Sequence, residues 1–207
     1  MVTLHTNYAG FVTVTTKLLD IHKRSQALEV GYQKLIAETL ILRLFYELDK
    51  CVDGVVLKLV RGVRYLDGCV PILLIAPFPS QEAARKHIVR TNRYFYLEWT
   101  NLEKVIRSLN GIMDSNDHFL VTRNLFDGTY EDMRHVRNHV AHNTASTKAK
   151  FGSVVQRVYP TTVGISAAKF LLSRRPAVIG YTGGEMIVAQ YVRWAKTFIK
   201  TLTKSPT

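Results

Sequence analysis

Apolar residues in the first third of the chain recur at intervals of three and four, which is the period of one face of an α-helix. The pattern runs from Tyr32 to Tyr65 and predicts one long helix, with a break near Gly54 as the alternative to a continuous one. Its apolar positions cover more than the ~100° stripe that a one-sided surface helix needs. We therefore expect part of this helix to be buried in a further interface. The apolar positions are Leu35, Ile36, Leu40, Leu44, Phe45, Leu48, Val52, Val55, Val56, Leu59 and Val63.

The rest of the chain also shows the helical period. Ser80 precedes a segment that indicates a capped helix start. The clusters DSNDHF and FDGTYED indicate turns, the second with Thr129 as an N-cap. No alternation of apolar and polar residues predicts a strand, so the predicted fold class is all-α. Further helices are expected over residues 94–113, 130–143, 147–159 and 185–202, and residues 163–175 are either a short helix or an extended connection.

The size and apolar content of the chain fit one domain over residues 1–207. The chain has 207 residues, of which 47% are hydrophobic, enough for one real core and too few for two comfortable domains. The longest apolar stretch, Cys69 to Pro79, carries prolines and falls well short of the ~20 residues that cross a bilayer. Without a secretory signal pattern, and with two cysteines that build no disulfide framework, we expect a cytoplasmic protein and no membrane contact.

The charge balance changes the expected partner. Lys and Arg number 28 against 16 Asp and Glu, a net charge of +12 with neutral histidines. Such a balance favours polyanions, and nucleic acid in particular. The aromatic and basic run Arg93–Trp99 has the composition that stacks single-stranded bases, although aromatics at helical spacing are more often core residues. Candidate chemistry must therefore be sought where histidines and arginines concentrate.

That concentration lies in the segment RHVRNHVAHN, Arg134–Asn143, which holds three of the seven histidines. On a helical wheel, one face of this segment is apolar and points to the core. The opposite face carries Glu131 and the three histidines within about 80° of arc. A solvated, histidine-rich surface would explain the polar face without function. A zinc site is the second interpretation, because His135, His139 and His142 with Glu131 could supply ligands from one helix. The apolar face consists of Met133, Val136 and Val140.

A third interpretation comes from the segment RNHVAH, Arg137–His142. Its Arg, polar residue, three further residues and His resemble the signature of the HEPN superfamily, the higher eukaryote and prokaryote nucleotide-binding domains. The resemblance implies an all-α, HEPN-like helical bundle that acts as a metal-independent endoribonuclease without a cofactor. It implies Arg137 and His142 as the central catalytic residues, with Asn138 in support. The resemblance also implies a role in toxin–antitoxin or phage-defence systems. The expected partners are then RNA and a cognate antitoxin.

The residue types suit this chemistry. Cleavage through the RNA's own 2′-hydroxyl needs proton transfer near neutral pH and a cation beside the phosphate oxygens, and His142 and Arg137 can supply them. The expected products are a 2′,3′-cyclic phosphate and a 5′-hydroxyl. Five residues separate the two side chains by about 140° on an ideal helix, so the site is expected to combine two subunits of a homodimer. Further RNA contacts are expected from Arg134, His139, Lys148 and Lys150. The alternative is a non-catalytic RNA- or nucleotide-binding module of the same fold.

Overall fold

A computed structural model of the chain describes residues 3–91, 101–161, 164–174 and 184–204. Within these ranges the regular structure is helical, and the β-structure amounts to two isolated bridges, Leu73 with Met113 and Arg174 with Met186. The prediction of an all-α fold is confirmed. The helices of the described residues are α1 (His5–Ser25), α2 (Val30–Leu59), α3 (Gln81–Thr91), α4 (Leu102–Leu109), α5 (His118–His142), α6 (Ala145–Val158), α7 (Ala167–Leu172) and α8 (Ile187–Thr203).

Helix α2 matches the predicted long helix but ends before Tyr65. Gly62, three residues beyond its end, has a left-handed φ of 76°, and its N–H donates to the Leu59 carbonyl at 2.8 Å. A left-handed glycine after a helix end is a common stop because it carries no Cβ. Gly54 does not break the helix. A Cβ there would collide with the side-chain amide of Asn7, so this glycine allows α1 to approach closely.

Helix α5 corrects one prediction. Thr129 is not an N-cap, because it lies inside a continuous helix that begins eleven residues earlier. The cap is Asp117, whose Oδ1 accepts a hydrogen bond from the Phe119 N–H at 2.9 Å. Gly128 in a helix interior costs about 1 kcal/mol relative to alanine. Complete burial of Tyr130 and Met133 immediately after it offsets that cost.

The other helices follow their predicted ranges with shifted ends. Ser80 caps α3 as expected, since its Oγ accepts from the Ala83 N–H at 3.1 Å. Helices α6 and α8 agree with prediction to within two residues at each end, and α7 shows that a short helix occupies part of residues 163–175. Helix α4 ends at Leu109 rather than Met113, because Gly111 is left-handed with φ 79°. The run Arg93–Trp99 lies outside the described residues.

The sequence pattern does not predict α1. Its buried face follows the helical spacing of four and three, but three of its five residues are polar. Because polar residues interrupt the buried face, apolar residues do not recur at the helical period, and the apolar pattern does not predict this helix. The buried residues are Phe11, Thr15, Leu18, His22 and Ser25.

The chain divides into two compact units, and the single domain stays a prediction. Unit 1 comprises Met1–Val12, Glu47–Asp127 and Thr197–Thr207. Its polar core is centred on Asp117, which is 1% exposed and accepts hydrogen bonds from the Tyr65 hydroxyl at 2.5 Å and the Ile72 N–H at 2.8 Å. Nearby, the His118 ring lies edge-on to Tyr65 and its Nε2 is 2.6 Å from the Thr201 carbonyl oxygen.

Unit 2 comprises Thr13–Tyr46 and Gly128–Lys196 and carries the histidine- and arginine-rich segment. Tyr130 is fully buried at its centre, with the rings of Phe45 and Trp194 6.0 and 6.2 Å away. Helix α6 buries Phe151, whose ring meets Phe170 of α7 edge-on at 5.6 Å. These aromatic contacts hold the second half of α5 within the core of unit 2.

Among the helices of the described residues, none combines the length and the apolar character needed to cross a membrane.

Candidate functional site

The last three turns of α5 present the candidate site. Met133 and Val136 are fully buried and Val140 is partly buried, which confirms the predicted core face. The polar side chains of these turns therefore lie toward the outside of unit 2. These side chains differ in exposure, in hydrogen-bond partners and in charge compensation, although the sequence does not distinguish them.

Arg137 is a partly buried cation without a carboxylate partner among the described residues. Its Nη1 donates to the Asn138 Oδ1 at 2.9 Å, and its Nε is buried with no acceptor in the described part of the chain. A partly desolvated guanidinium normally recruits a carboxylate, because an unpaired buried charge is costly. The arrangement leaves Arg137 available to an external anion, and Asn138 orients it.

Arg134, one turn earlier, has the opposite environment. Its Nε lies 3.0 Å from both carboxylate oxygens of Glu131, and its Nη2 is 2.7 Å from one of them. The charge of Arg134 is thus compensated within the helix, whereas that of Arg137 is not. Both arginines were expected to face RNA, and the structure leaves Arg137 the better placed for an anion.

His139 is packed against α6. Its ring stacks on Phe151 with 4.7 Å between the centroids and 14° between the planes, and its Nδ1 is buried without a partner in the described residues. Burial lowers the pKa of His139, and the nearby Lys148 lowers it further. A neutral, stacked imidazole is a packing group, so an RNA contact through His139 stays a prediction.

His142 ends α5 and is exposed. Asn143 follows it with a left-handed φ of 42°, a conformation that asparagine tolerates at helix ends, and its N–H donates to the His139 carbonyl at 3.0 Å. Thr144 then caps α6 through a reciprocal capping box with Thr147. The histidine therefore lies at a sharply defined turn between two helices.

Two exposed lysines follow this turn on the first two turns of α6. Lys148 and Lys150 are both exposed, as a contact to an RNA backbone requires. The structure thus brings Arg137 and Asn138 into contact and places two cations shortly after His142. It shows no hydrogen bond between His142 and either Arg137 or Asn138 in the described residues, which agrees with their expected divergence of about 140° on the helix.

The three-histidine zinc site is not formed by this helix. No group of three or more His, Cys, Asp or Glu side chains gathers to hold a metal ion within the described ranges. Two of the four expected ligands are engaged elsewhere: Glu131 with Arg134, and His139 with Phe151. Although the four side chains share one helix face, they do not point to a common position where a metal ion could bind.

A cavity of about 730 Å³ in unit 2 has no counterpart in the sequence analysis. It is lined by the second half of α1, by Arg174 and by the start of α8 with the residues before it. Its lining residues are far apart in the sequence, because they come from α1, from Arg174 and from the start of α8. No short motif could have revealed this cavity.

No protein-family model, no curated protein and no solved structure matches the chain.

One buried and two partly buried histidines of unit 2 predict acid sensitivity. Burial lowers the pKa of His22, His135 and His139 below the ordinary value of 6.5. The unfolded chain therefore binds protons more readily than the folded one, and stability should fall as pH drops below about 6.5. We expect a lower melting temperature at pH 5.5 than at pH 7.5, measured by circular dichroism. His139→Gln should reduce the difference, and a melting temperature that rises on acidification would contradict the prediction.

Proposed function

We propose that the protein is a metal-independent endoribonuclease whose site contains Arg137, Asn138 and His142. One observation carries the proposal: a partly buried guanidinium with no carboxylate partner in the described residues precedes, on the same helix end, an exposed histidine. An unpaired arginine fits a phosphate, since its planar fork matches two phosphate oxygens. The exposed imidazole can transfer a proton beside it. The motif's resemblance to HEPN ribonucleases agrees with this chemistry.

The reaction is an internal transfer within the RNA. The 2′-oxygen attacks the adjacent phosphorus, the bond from phosphorus to the 5′-oxygen breaks, and the products are a 2′,3′-cyclic phosphate and a 5′-hydroxyl. One proton leaves the 2′-hydroxyl and one reaches the 5′-oxygen, and His142 assists this transfer as general base or acid. Arg137 stabilises the charge that grows on the non-bridging oxygens. The nucleophile already lies beside its phosphate, so no metal or cofactor has to position it.

Exposed cations bind the RNA backbone in this proposal. Lys148 and Lys150 lie on the helix that follows His142, and the chain as a whole carries a net charge of +12. These charges would hold phosphates whether or not cleavage follows. The second candidate function is therefore a non-catalytic RNA-binding module. A cytoplasmic location, a toxin or phage-defence role and an antitoxin partner are parts of the proposal that rest on the resemblance and composition.

The proposed function predicts cleavage without metal. Purified protein in EDTA should cleave single-stranded RNA and leave 5′-hydroxyl ends, which polynucleotide kinase labels directly, and 2′,3′-cyclic phosphate ends, which mass spectrometry identifies. The physical reason is that the nucleophile is internal to the substrate. Binding without cleavage would favour the second candidate function. Activity lost in EDTA and restored by zinc would contradict the metal-independent mechanism.

A homodimer completes the proposed site, because Arg137 and His142 diverge on one helix. Most apolar residues of α2 are buried within the chain, so few of them remain for the further interface that was expected to bury part of this helix. An exposed apolar group remains around the turn from α1 to α2, and it is suited to a partner surface. This group consists of Leu28, Val30, Tyr32 and Leu35, which are 47 to 61% exposed.

Mixing two inactive variants tests the shared site. In a mixed dimer of His142→Ala and Arg137→Ala subunits, one of the two composite sites keeps both residues. Random exchange makes half the dimers mixed, so we expect about a quarter of the parent activity to return. Light scattering at micromolar concentration should give the dimer mass. A monomer that cleaves at full rate, or a mixture without recovery, would contradict a site shared between subunits.

A further inference from the structure

The 730 Å³ cavity of unit 2 is separate from the proposed ribonuclease site. It shares no lining residue with α5, because its walls come from α1, Arg174 and the region that begins α8. Its volume falls within the range of ~300–1,000 Å³ that small-molecule sites occupy. The polar lining residues are Asp20, His22, Lys23, Gln26, Arg174, Glu185 and Arg193.

The charges of the lining do not cancel locally. Both carboxylates are paired: Asp20 with Arg24 at 2.9 Å and Glu185 with Arg193 at 2.8 Å. Lys23 and Arg174 pair with no carboxylate in the described part of the chain. Arg174 uses Nη1 to donate to the Gly184 carbonyl at 2.6 Å, which fixes the guanidinium at the wall, and its other nitrogens have no hydrogen-bond partner among the described residues. Two cations therefore remain to meet an anion.

His22 adds a neutral hydrogen-bonding group to the same wall. It is 5% exposed, and its Nε2 lies 3.4 Å from the Gln26 amide nitrogen. Because that amide nitrogen can only donate, the imidazole Nε2 accepts and Nδ1 carries the proton. Nδ1 is buried and has no acceptor among the described residues. Burial lowers the pKa of His22, so this tautomer is neutral at pH 7. Because this nitrogen has almost no accessible surface, His22 contributes to the wall by accepting from Gln26 and not by contacting a ligand through Nδ1.

We propose that this cavity binds a small molecule bearing a phosphate group, with Lys23 and Arg174 holding the phosphate. Two unpaired cations balance a phosphate dianion, and an arginine fixed at its Nη1 presents the remaining fork to two oxygens. Gln26, which is exposed in the cavity lining, supplies a neutral donor to the remainder of the molecule. The available volume exceeds that of inorganic phosphate, so an organic phosphate of sugar size fits better. The proposal does not depend on the ribonuclease activity.

The test is calorimetric titration of the full chain with ribose 5-phosphate, inorganic phosphate and ribose. Ribose 5-phosphate should bind and ribose should not, because the cations recognise the phosphate. Lys23→Met and Arg174→Met should each weaken binding about tenfold or more, since each removes a charged hydrogen bond. Inorganic phosphate that binds as tightly as the ester would identify free phosphate as the ligand and still support the anion site.

Lys17→Met is the matched control, because Lys17 is exposed on the same helix and does not line the cavity. It should leave the affinity for ribose 5-phosphate unchanged. Absence of binding by either phosphate would overturn the proposal. An equal loss in Lys17→Met and Lys23→Met would overturn it too, because the effect would then come from net charge rather than from the cavity. Circular dichroism melts of all three variants show whether a lost affinity reflects a lost fold.

Discussion

His142→Ala and Arg137→Ala should each lower the rate of RNA cleavage by a factor on the order of 10² or more. His142 would no longer assist proton transfer, and Arg137 would no longer stabilise the phosphate oxygens in the transition state. The measurement is a single-turnover assay in EDTA with a fluorescent RNA. His142 is exposed at a helix end, so its substitution should change the rate without changing the melting temperature.

Matched controls separate this effect from a general loss of histidine or charge. His5→Ala removes an exposed histidine at the start of α1 and should keep the parent rate. Arg137→Lys keeps the charge but loses the planar fork and the hydrogen bond to Asn138, so it should be intermediate. The proposed site would be contradicted if the parent, His142→Ala and Arg137→Ala cleaved RNA at equal rates. A similar loss in His5→Ala would mean that the measured activity does not report on this helix end.

Binding and cleavage should separate in the same variants. RNA affinity depends mainly on cations such as Lys148 and Lys150, which are exposed on α6. His142→Ala should therefore keep most of the parent affinity while losing its rate. A variant that loses both would indicate that the histidine helps to hold the RNA rather than to transfer a proton.

The sequence predicted those parts of the fold in which apolar residues alone mark the buried face. Helix α2 and the core face of α5, with Met133 and Val136, belong to this group. Helix α1 does not, because three residues of its buried face are polar and the apolar residues alone do not show the helical period. These residues are Thr15, His22 and Ser25. Local signals also misplaced the start of the motif helix. Thr129 has the residue type of a cap, but burial of Tyr130 and Met133 outweighs the local signal and carries the helix through Gly128.

The candidate site was predictable in its residue types but not in its electrostatics. Arg134 and Arg137 look equivalent in the segment, and only the structure shows that Glu131 compensates the first and that Asn138 orients the second. His139 likewise resembles its neighbours until its stacking on Phe151 becomes visible. Phe151 belongs to the next helix, so no pattern within the motif could have revealed the contact. Tertiary contacts therefore decide which members of the cluster stay available for chemistry.

Asp117→Ala should destabilise the protein by about 3–5 kcal/mol. The carboxylate is 1% exposed and accepts three hydrogen bonds, from the Tyr65 hydroxyl and from the N–H groups of Ile72 and Phe119. Burial, with the neighbouring Asp117 carboxylate, raises the pKa of Tyr65, so its hydroxyl stays protonated and donates. Alanine would remove the cap of α5 and leave the Tyr65 donor buried without an acceptor.

Urea unfolding followed by circular dichroism at pH 7 measures this loss. Asp114→Ala is the matched control, because Asp114 lies three residues earlier and its side chain, among the described residues, accepts only from the exposed amides of Asn116. It should cost less than about 1 kcal/mol. Tyr65→Phe removes one partner and should cost about 1–2 kcal/mol, and combining it with Asp117→Ala should cost less than the sum, because the two groups share one bond. If Asp117→Ala were as mild as Asp114→Ala, or if the double variant were additive, the buried carboxylate would not be what joins Tyr65 to the start of α5.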